Sequence, residues 1–231
     1  MSSWRDIVTK AEALKDKEDV QGTFSLLSNA VYDNHQHHSE LLWRLGRAHY
    51  DVAQESTDKK YVEAQCRKGL DRVAESLAAE EASAGAHKWK GILLGCVSDF
   101  IPTKEKIAST YVMKQHFERS IELNERDSTA HHCLAKWCWA MNQISWIERQ
   151  AANVLFGKPP TCSLEQCKDS LLRSDAIDKT VHNQIMLGDV TLRMGNREES
   201  AKWYSSAASL PAVSLNQQRQ QQEAAKKLAS L

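Results

Sequence analysis

"NQIMLGDVTLRMGNREESAKWYSSAASLP", Asn183–Pro211, decides how this chain folds. Leu187 and Gly188 stand together in its first half, then come Gly195-Asn196, Tyr204, Ala207 and Pro211. Apolar residues recur at helical spacing on both sides of Gly195-Asn196, a dipeptide that stops one helix and starts another. Pro211 cannot continue a helix and closes the second one. The stretch therefore predicts two amphipathic helices joined by a tight turn. Gly188 lets a neighbouring helix approach closely, because no side chain holds the two backbones apart.

Three earlier segments align with the first half of this stretch: "LLWRLGRAHYDVA" from Leu41, "AHKWKGILLGCVS" from Ala86 and "AHHCLAKWCWAMN" from Ala130. Each has a small residue where Gly188 stands, namely Gly46, Gly91 and Ala135. Each is followed by a second amphipathic helix: "YVEAQCRKGLDRVAESL", "YVMKQHFERSIELN" and "SLEQCKDSLLRSDAI". The spacing resembles the L-G…A-x3-F…P logic of tetratricopeptide helix pairs. The resemblance implies an all-α, tetratricopeptide-like superhelix of four pairs over residues 41–211, within one structural domain. Helices at roughly Ser3–Leu14 and Val20–Tyr32, within residues 1–40, cap one end. A polar helix in 212–231 caps the other, as solenoids need a solvated terminus. Inserted helices are expected near 100–110, in "SDFIPTKEKIAST", and near 145–157.

The second insertion, "SWIERQAANVLFGKPP" (145–160), packs an acid, a base, a tryptophan and a hard stop into sixteen residues. Ser145 and Glu148 make an S-x-x-E capping box, which occupies Glu148 at a helix start. Glu148 and Arg149 point about 100° apart on a helix, so they cannot act on one atom. Gly157 and Pro159-Pro160 end that helix, and Ser163-x-x-Gln166 opens the next. The stretch reads as scaffold. Together with "AHHCLAKWCWAMNQI" and "AHKWKGILLG", it resembles the regulator of microtubule dynamics family from about Leu41 to Pro211. That resemblance implies a helical-repeat protein associated with microtubules and spindle poles. Several family members have an N-terminal membrane anchor that places them on mitochondria. This chain starts with "MSSWRDIVTKAEALKDK" and resembles the soluble short form.

Composition narrows the chemistry. Formal net charge is zero, with 42% hydrophobic and 26% charged residues, so no global field draws the chain to nucleic acid or membrane. Its longest apolar runs are too short to span a bilayer, and its start lacks the apolar core of a signal peptide. Cys66, Cys96, Cys133, Cys138, Cys162 and Cys167 include no CxxC pair and are read as reduced thiols of a cytosolic protein. His35, His37 and His38 lack metal-ligand geometry and read as a turn. No orienting acid follows His131, His132 and Cys133 for a Cys–His nucleophile. Neither phosphate-binding glycine motif is present, nor an RNP-type strand. No catalytic residue, metal or cofactor is expected.

The first helices of a tetratricopeptide array line its inner face. On that frame Trp43, Arg44, Arg47, Tyr50 and Asp51 point inward from the first pair, with Lys88, Trp89 and Ile92 from the second. His132, Lys136 and Trp139 follow from the third, and Ile185, Asp189, Leu192 and Arg193 from the fourth. Five basic residues against two acidic ones, with three indoles and a tyrosine, suit an acidic flexible peptide. The acidic tails of tubulin fit that description. A second basic patch is Lys59, Lys60, Arg67, Lys68 and Arg72 on the first pair's outer helix, where Glu63 and Asp71 supply i,i+4 partners. Joined to this groove, the family resemblance implies a cytoplasmic, cytoskeletal protein that binds microtubules and, through the resemblance alone, spindle-pole proteins. The alternative is an adaptor for the acidic C-terminus of a chaperone or other client, although asparagine is missing from the inward positions such a clamp would use.

Overall fold

The computed structural model of the chain describes residues 2–144, 149–150, 152–154 and 161–231. The Ser145–Glu148 capping box, and most of the helix expected near 145–157, lie outside the described residues. Among the described residues every regular element is helical. The chain divides into two compact units, Met1–Glu125 and Arg126–Leu231. Unit one contains α1 (Trp4–Asp16), α2 (Val20–Ser28), a π turn (Asn29–Asp33), α3 (Ser39–Gln54), α4 (Lys59–Ala79), α5 (Ala84–Val97) and α6 (Thr103–Leu123). Unit two contains α7 (Ser128–Gln143), α8 (Leu164–Ile177), α9 (Val181–Arg193), α10 (Arg197–Ser209) and α11 (Leu215–Ala229).

Local chemistry sets these boundaries. Ser3, Asp19, Asp58, Ser83, Asp127, Asn196 and Ser214 each turn a side-chain oxygen onto a backbone N–H of the helix they precede. Such a cap is worth about 1 kcal/mol. The predicted Ser163–Gln166 capping box is present, with both reciprocal bonds formed. Gly195 takes φ +85° just after α9, a conformation that side chains with a Cβ rarely adopt, and this ends the helix. The helix expected near 100–110 is not separate. Pro102 fixes the entry to α6, nothing after it breaks the pattern, and the helix runs unbroken to Leu123.

In each repeat the second helix crosses the small residue of the first in one register. A Cβ added to Gly46 would lie 2.5 Å from Val73, one on Gly91 2.4 Å from Phe117, and one on Gly188 2.3 Å from the Tyr204 ring. Leu171, fully buried, holds the equivalent place in α8. Four residues before Tyr204, Leu171 and Val73, the second helix meets the carbonyl of the small residue. Ser200 Oγ donates to Gly188 O at 2.8 Å, Cys167 Sγ lies 3.3 Å from Ala135 O, and Gly69 comes close to Gly46 O. Three residues after Val73 and Phe117, Ser76 and Ser120 donate to the carbonyls of Ser39 and Ala84 at the starts of α3 and α5. The close approach read from Gly46, Gly91 and Gly188 is thus realised at each of them.

The pairs stack in order within each unit: α1–α2, α3–α4 and α5–α6 in the first, α7–α8, α9–α10 and then α11 in the second. Ile7 and Ala11 of α1 share a core with Leu27, Leu41, Leu42 and Leu45, so the N-terminal helices are built into unit one. A fully buried leucine contributes roughly 1.5–3 kcal/mol.

The reduced-thiol reading of all six cysteines is overturned for four of them. Cys66 in α4 is bridged to Cys96 in α5, and Cys138 in α7 to Cys162 just before α8, with Cα separations of 6.4 and 5.3 Å. The partners are 30 and 24 residues apart and come from different segments, so only packing brings them together. Cys133 and Cys167 remain thiols, and burial pushes that of Cys167 up to about 12.

Candidate functional site

The inner residues of unit one form a cluster that α1 joins. The Arg44 guanidinium lies 4.0 Å and that of Arg47 5.8 Å from the Trp43 ring centroid. The ring itself rests on Gly85, where a Cβ would come within 2.7 Å. Glu12 reaches in from α1 to pair with Arg44 Nε at 2.6 Å and with Arg47 Nη1 at 3.2 Å, and Glu40 also pairs with Arg44. Burial pushes the Glu12 carboxyl up, but Arg47 and Arg44 outweigh it and hold the group below its ordinary value. Asp51, one turn beyond Arg47, is raised to about 6 because burial outweighs the nearby Arg47 and Lys15. Tyr50 and Trp89 pack ring to ring at 5.6 Å, with Lys88 half-buried beside Trp89 on α5. The fold brings Trp43, Arg44 and Arg47 together, but it does not leave the two arginines open. Their charge is already matched inside the protein.

In unit two the predicted residues separate. Lys136 and Arg193 are exposed, Trp139 is half-buried, and Ile185 is buried. His132 is only 9% exposed, and its Nδ1 donates to Asn183 Oδ1 at 2.9 Å, while Asn183 Nδ2 donates to Leu171 O. It therefore links α7, α8 and α9 and is a packing residue. Asp189 is taken by Lys227 of α11 at 2.8 Å and accepts the Tyr204 hydroxyl at 2.6 Å. Burial, with the Asp189 carboxylate close by, pushes that phenol up.

Burial, reinforced by His182, lowers His132 from 6.5 to about 4 despite the Asn183 bond. In unit one burial and the adjoining His87 lower His116 to about 4. Both folded-state values lie below the unfolded one. Their stabilising share is therefore complete above pH 6.5 and is lost as pH falls towards 4. For His132 the loss at full titration is on the order of 3 kcal/mol. Urea midpoints should fall steadily between pH 7 and pH 4.5, and less steeply for His132→Gln.

The outer face of α4 behaves differently. Lys59, Lys60 and Lys68 are exposed, and none of them pairs with a carboxylate among the described residues. Arg67 is bound to Glu63 at 2.8 Å yet keeps half of its side chain exposed. Arg72 departs from this face: it pairs with Glu75 and lies 5.6 Å from the Tyr32 ring centroid. Among the described residues no group of three His, Cys, Asp or Glu could hold a metal ion. His38 accepts a bond from Glu40 N at the start of α3 and stacks on Trp4 at 3.8 Å. Glu12, Lys227 and Asn183 escaped the sequence reading, because they belong to capping helices or to positions facing between repeats.

A family model described as "Regulator of microtubule dynamics protein 1-3" matches residues 7–231. The mouse protein named Regulator of microtubule dynamics protein 1 is 33% identical over 229 residues, covering 98% of this chain and 74% of the relative. The human protein of that name is 35% identical over 191 residues, covering 81% of this chain and 61% of its own length. Regulator of microtubule dynamics protein 3 of Xenopus laevis is 28% identical, covering 82% of this chain and 41% of the relative. Among solved structures, a thermophilic TPR protein of Thermus thermophilus superposes with a TM-score of 0.68 at 13% identity, over 97% of this chain and 100% of that one. MamA gives 0.52 at 13% identity, over 96% and 97%. These likenesses show a tetratricopeptide-like fold.

Proposed function

The chain belongs to the regulator of microtubule dynamics family, and from that premise we propose that it is a non-catalytic interaction protein that binds microtubules through acidic tubulin tails. The match over residues 7–231 carries the reading. The repeat architecture supports it, since stacked helix pairs offer long surfaces on which a flexible partner can lie. Two surfaces are candidates. One is the inner face of the repeats, where unit one has Lys88 and Trp89 with the α1-bound Trp43, Arg44 and Arg47, and unit two separately has Lys136, Trp139 and Arg193. The other is the outer face of α4. A single acidic tail would bind either one weakly, and the closely spaced tails of the polymer would supply affinity through multivalency. The protein would then act at the cytoskeleton, on spindle microtubules and their poles.

Co-sedimentation with taxol-stabilised microtubules tests this directly. The protein is expected in the pellet at low salt and progressively in the supernatant as salt rises, because exposed charge pairs are screened. A protein that stays in the supernatant at every polymer concentration would contradict the proposal.

A further inference from the structure

We propose that the partner's acidic segment docks on the outer face of α4, along Lys60, Arg67 and Lys68, and not in the inner face of the repeats. This rests on the microtubule reading and assigns the surface it uses. The choice follows from which cations the fold has already neutralised. In unit one, Arg44 and Arg47 are bound to Glu12, and Arg44 to Glu40 as well, with their side chains only 12% and 6% exposed. An incoming carboxylate would have to displace Glu12, and α1 is fixed in the core through Ile7 and Ala11. Glu12 keeps 35% of its side chain exposed, but displacing it would strand two nearly buried guanidinium groups. On the α4 face Lys60 and Lys68 have no carboxylate partner among the described residues, and Arg67, paired with Glu63, keeps half of its side chain exposed.

Between Lys59 and Lys68 the chain has a net charge of +3, within a protein whose net charge is zero. Lys60, Ala64, Arg67 and Lys68 fall at i, i+4, i+7 and i+8, which is one face of a helix. That face is exposed throughout. Ala64 lies between the cations and adds no bulk, so a backbone can lie close to the helix. Among the described residues no carboxylate pairs with Lys59, Lys60 or Lys68. Lysines in the first turn oppose the helix dipole, and the Asp58 cap is the one acidic group at the start of α4, with none inside the first turn. Lys60 and Lys68 are separated by eight residues, about 12 Å along the axis. That distance matches an extended segment of about four residues. The occupant is therefore a flexible run of consecutive Glu or Asp, whose carboxylates meet Lys60 at one end and Arg67 and Lys68 at the other. Tyr61, 40% exposed, borders the stripe and supplies a ring against which the chain can lie.

The test uses Lys60→Glu/Lys68→Glu alongside Lys88→Glu/Lys136→Glu, with circular dichroism to confirm helicity. Each protein is titrated with a fluorescent hexaglutamate peptide at low salt and sedimented with microtubules. The α4 double variant is expected to lose about tenfold or more in both assays, and the inner-face variant less than about twofold. A wild type that binds hexaglutamate through α4 but ignores microtubules would contradict the microtubule reading and leave the acidic-segment site standing. Failure of the wild type to bind hexaglutamate would overturn the site, as would an α4 variant that binds like wild type or a larger loss in the inner-face variant.

Discussion

Replacing Gly188 with valine is expected to lower the stability of the protein by about 3 kcal/mol or more, at the upper end of what overpacking costs. Even the first added carbon would lie 2.3 Å from Cε1 and 2.5 Å from Cδ1 of Tyr204, a fully buried ring that also donates its hydroxyl to Asp189. The ring cannot retreat without breaking that bond, so α9 and α10 must move apart. Gly91 against Phe117 repeats the arrangement in unit one. Gly195→Ala is the contrast: nothing lies within 4 Å, and only the φ of +85° is strained, so it should cost about 1 kcal/mol. Urea unfolding followed by tryptophan fluorescence measures all three. Tyr204→Ala should cost less in the Gly188→Val background than in wild type, since the two residues share one contact. Equal stability of Gly188→Val and wild type would mean that the helices do not cross at this point.

The second large effect concerns the cysteines. Closing loops of 30 and 24 residues, the Cys66–Cys96 and Cys138–Cys162 bridges are each expected to contribute about 3–4 kcal/mol through loss of unfolded-chain entropy. Reductant should lower the urea midpoint markedly. Cys66→Ala/Cys96→Ala should reproduce about half of that shift without reductant. Thiol titration of the denatured, unreduced protein should find two reactive groups, from Cys133 and Cys167. Six reactive groups, with no response of the midpoint to reductant, would show that the bridges do not form.

Periodicity and small residues are local signals, and they made most of the fold legible. The eight helices of the four repeats, the two N-terminal helices and the C-terminal helix were all readable from them. The Ser163–Gln166 capping box was readable for the same reason, because its two bonds join residues three apart. The disulfides were not legible, because their partners are brought together by helices packing side by side. The candidate site was only half legible. Helical phase correctly gathered Trp43, Arg44 and Arg47, but it could not reveal that Glu12, 32 residues before Arg44, would neutralise them. His132 went astray for a similar reason. Its partner Asn183 belongs to the next repeat, and their bond turns an inward-facing position into a packing one. Lys60 and Lys68 stayed visible because nothing distant claims them.

The most direct measurement compares sedimentation of the unaltered protein with intact microtubules and with microtubules whose tubulin tails have been removed by protease, across a series of salt concentrations. Binding to intact polymer that weakens steeply with salt, and is lost when the tails are removed, is the predicted result. Equal binding to both polymers, insensitive to salt, would contradict an acidic-tail contact and place the interaction on the body of the lattice.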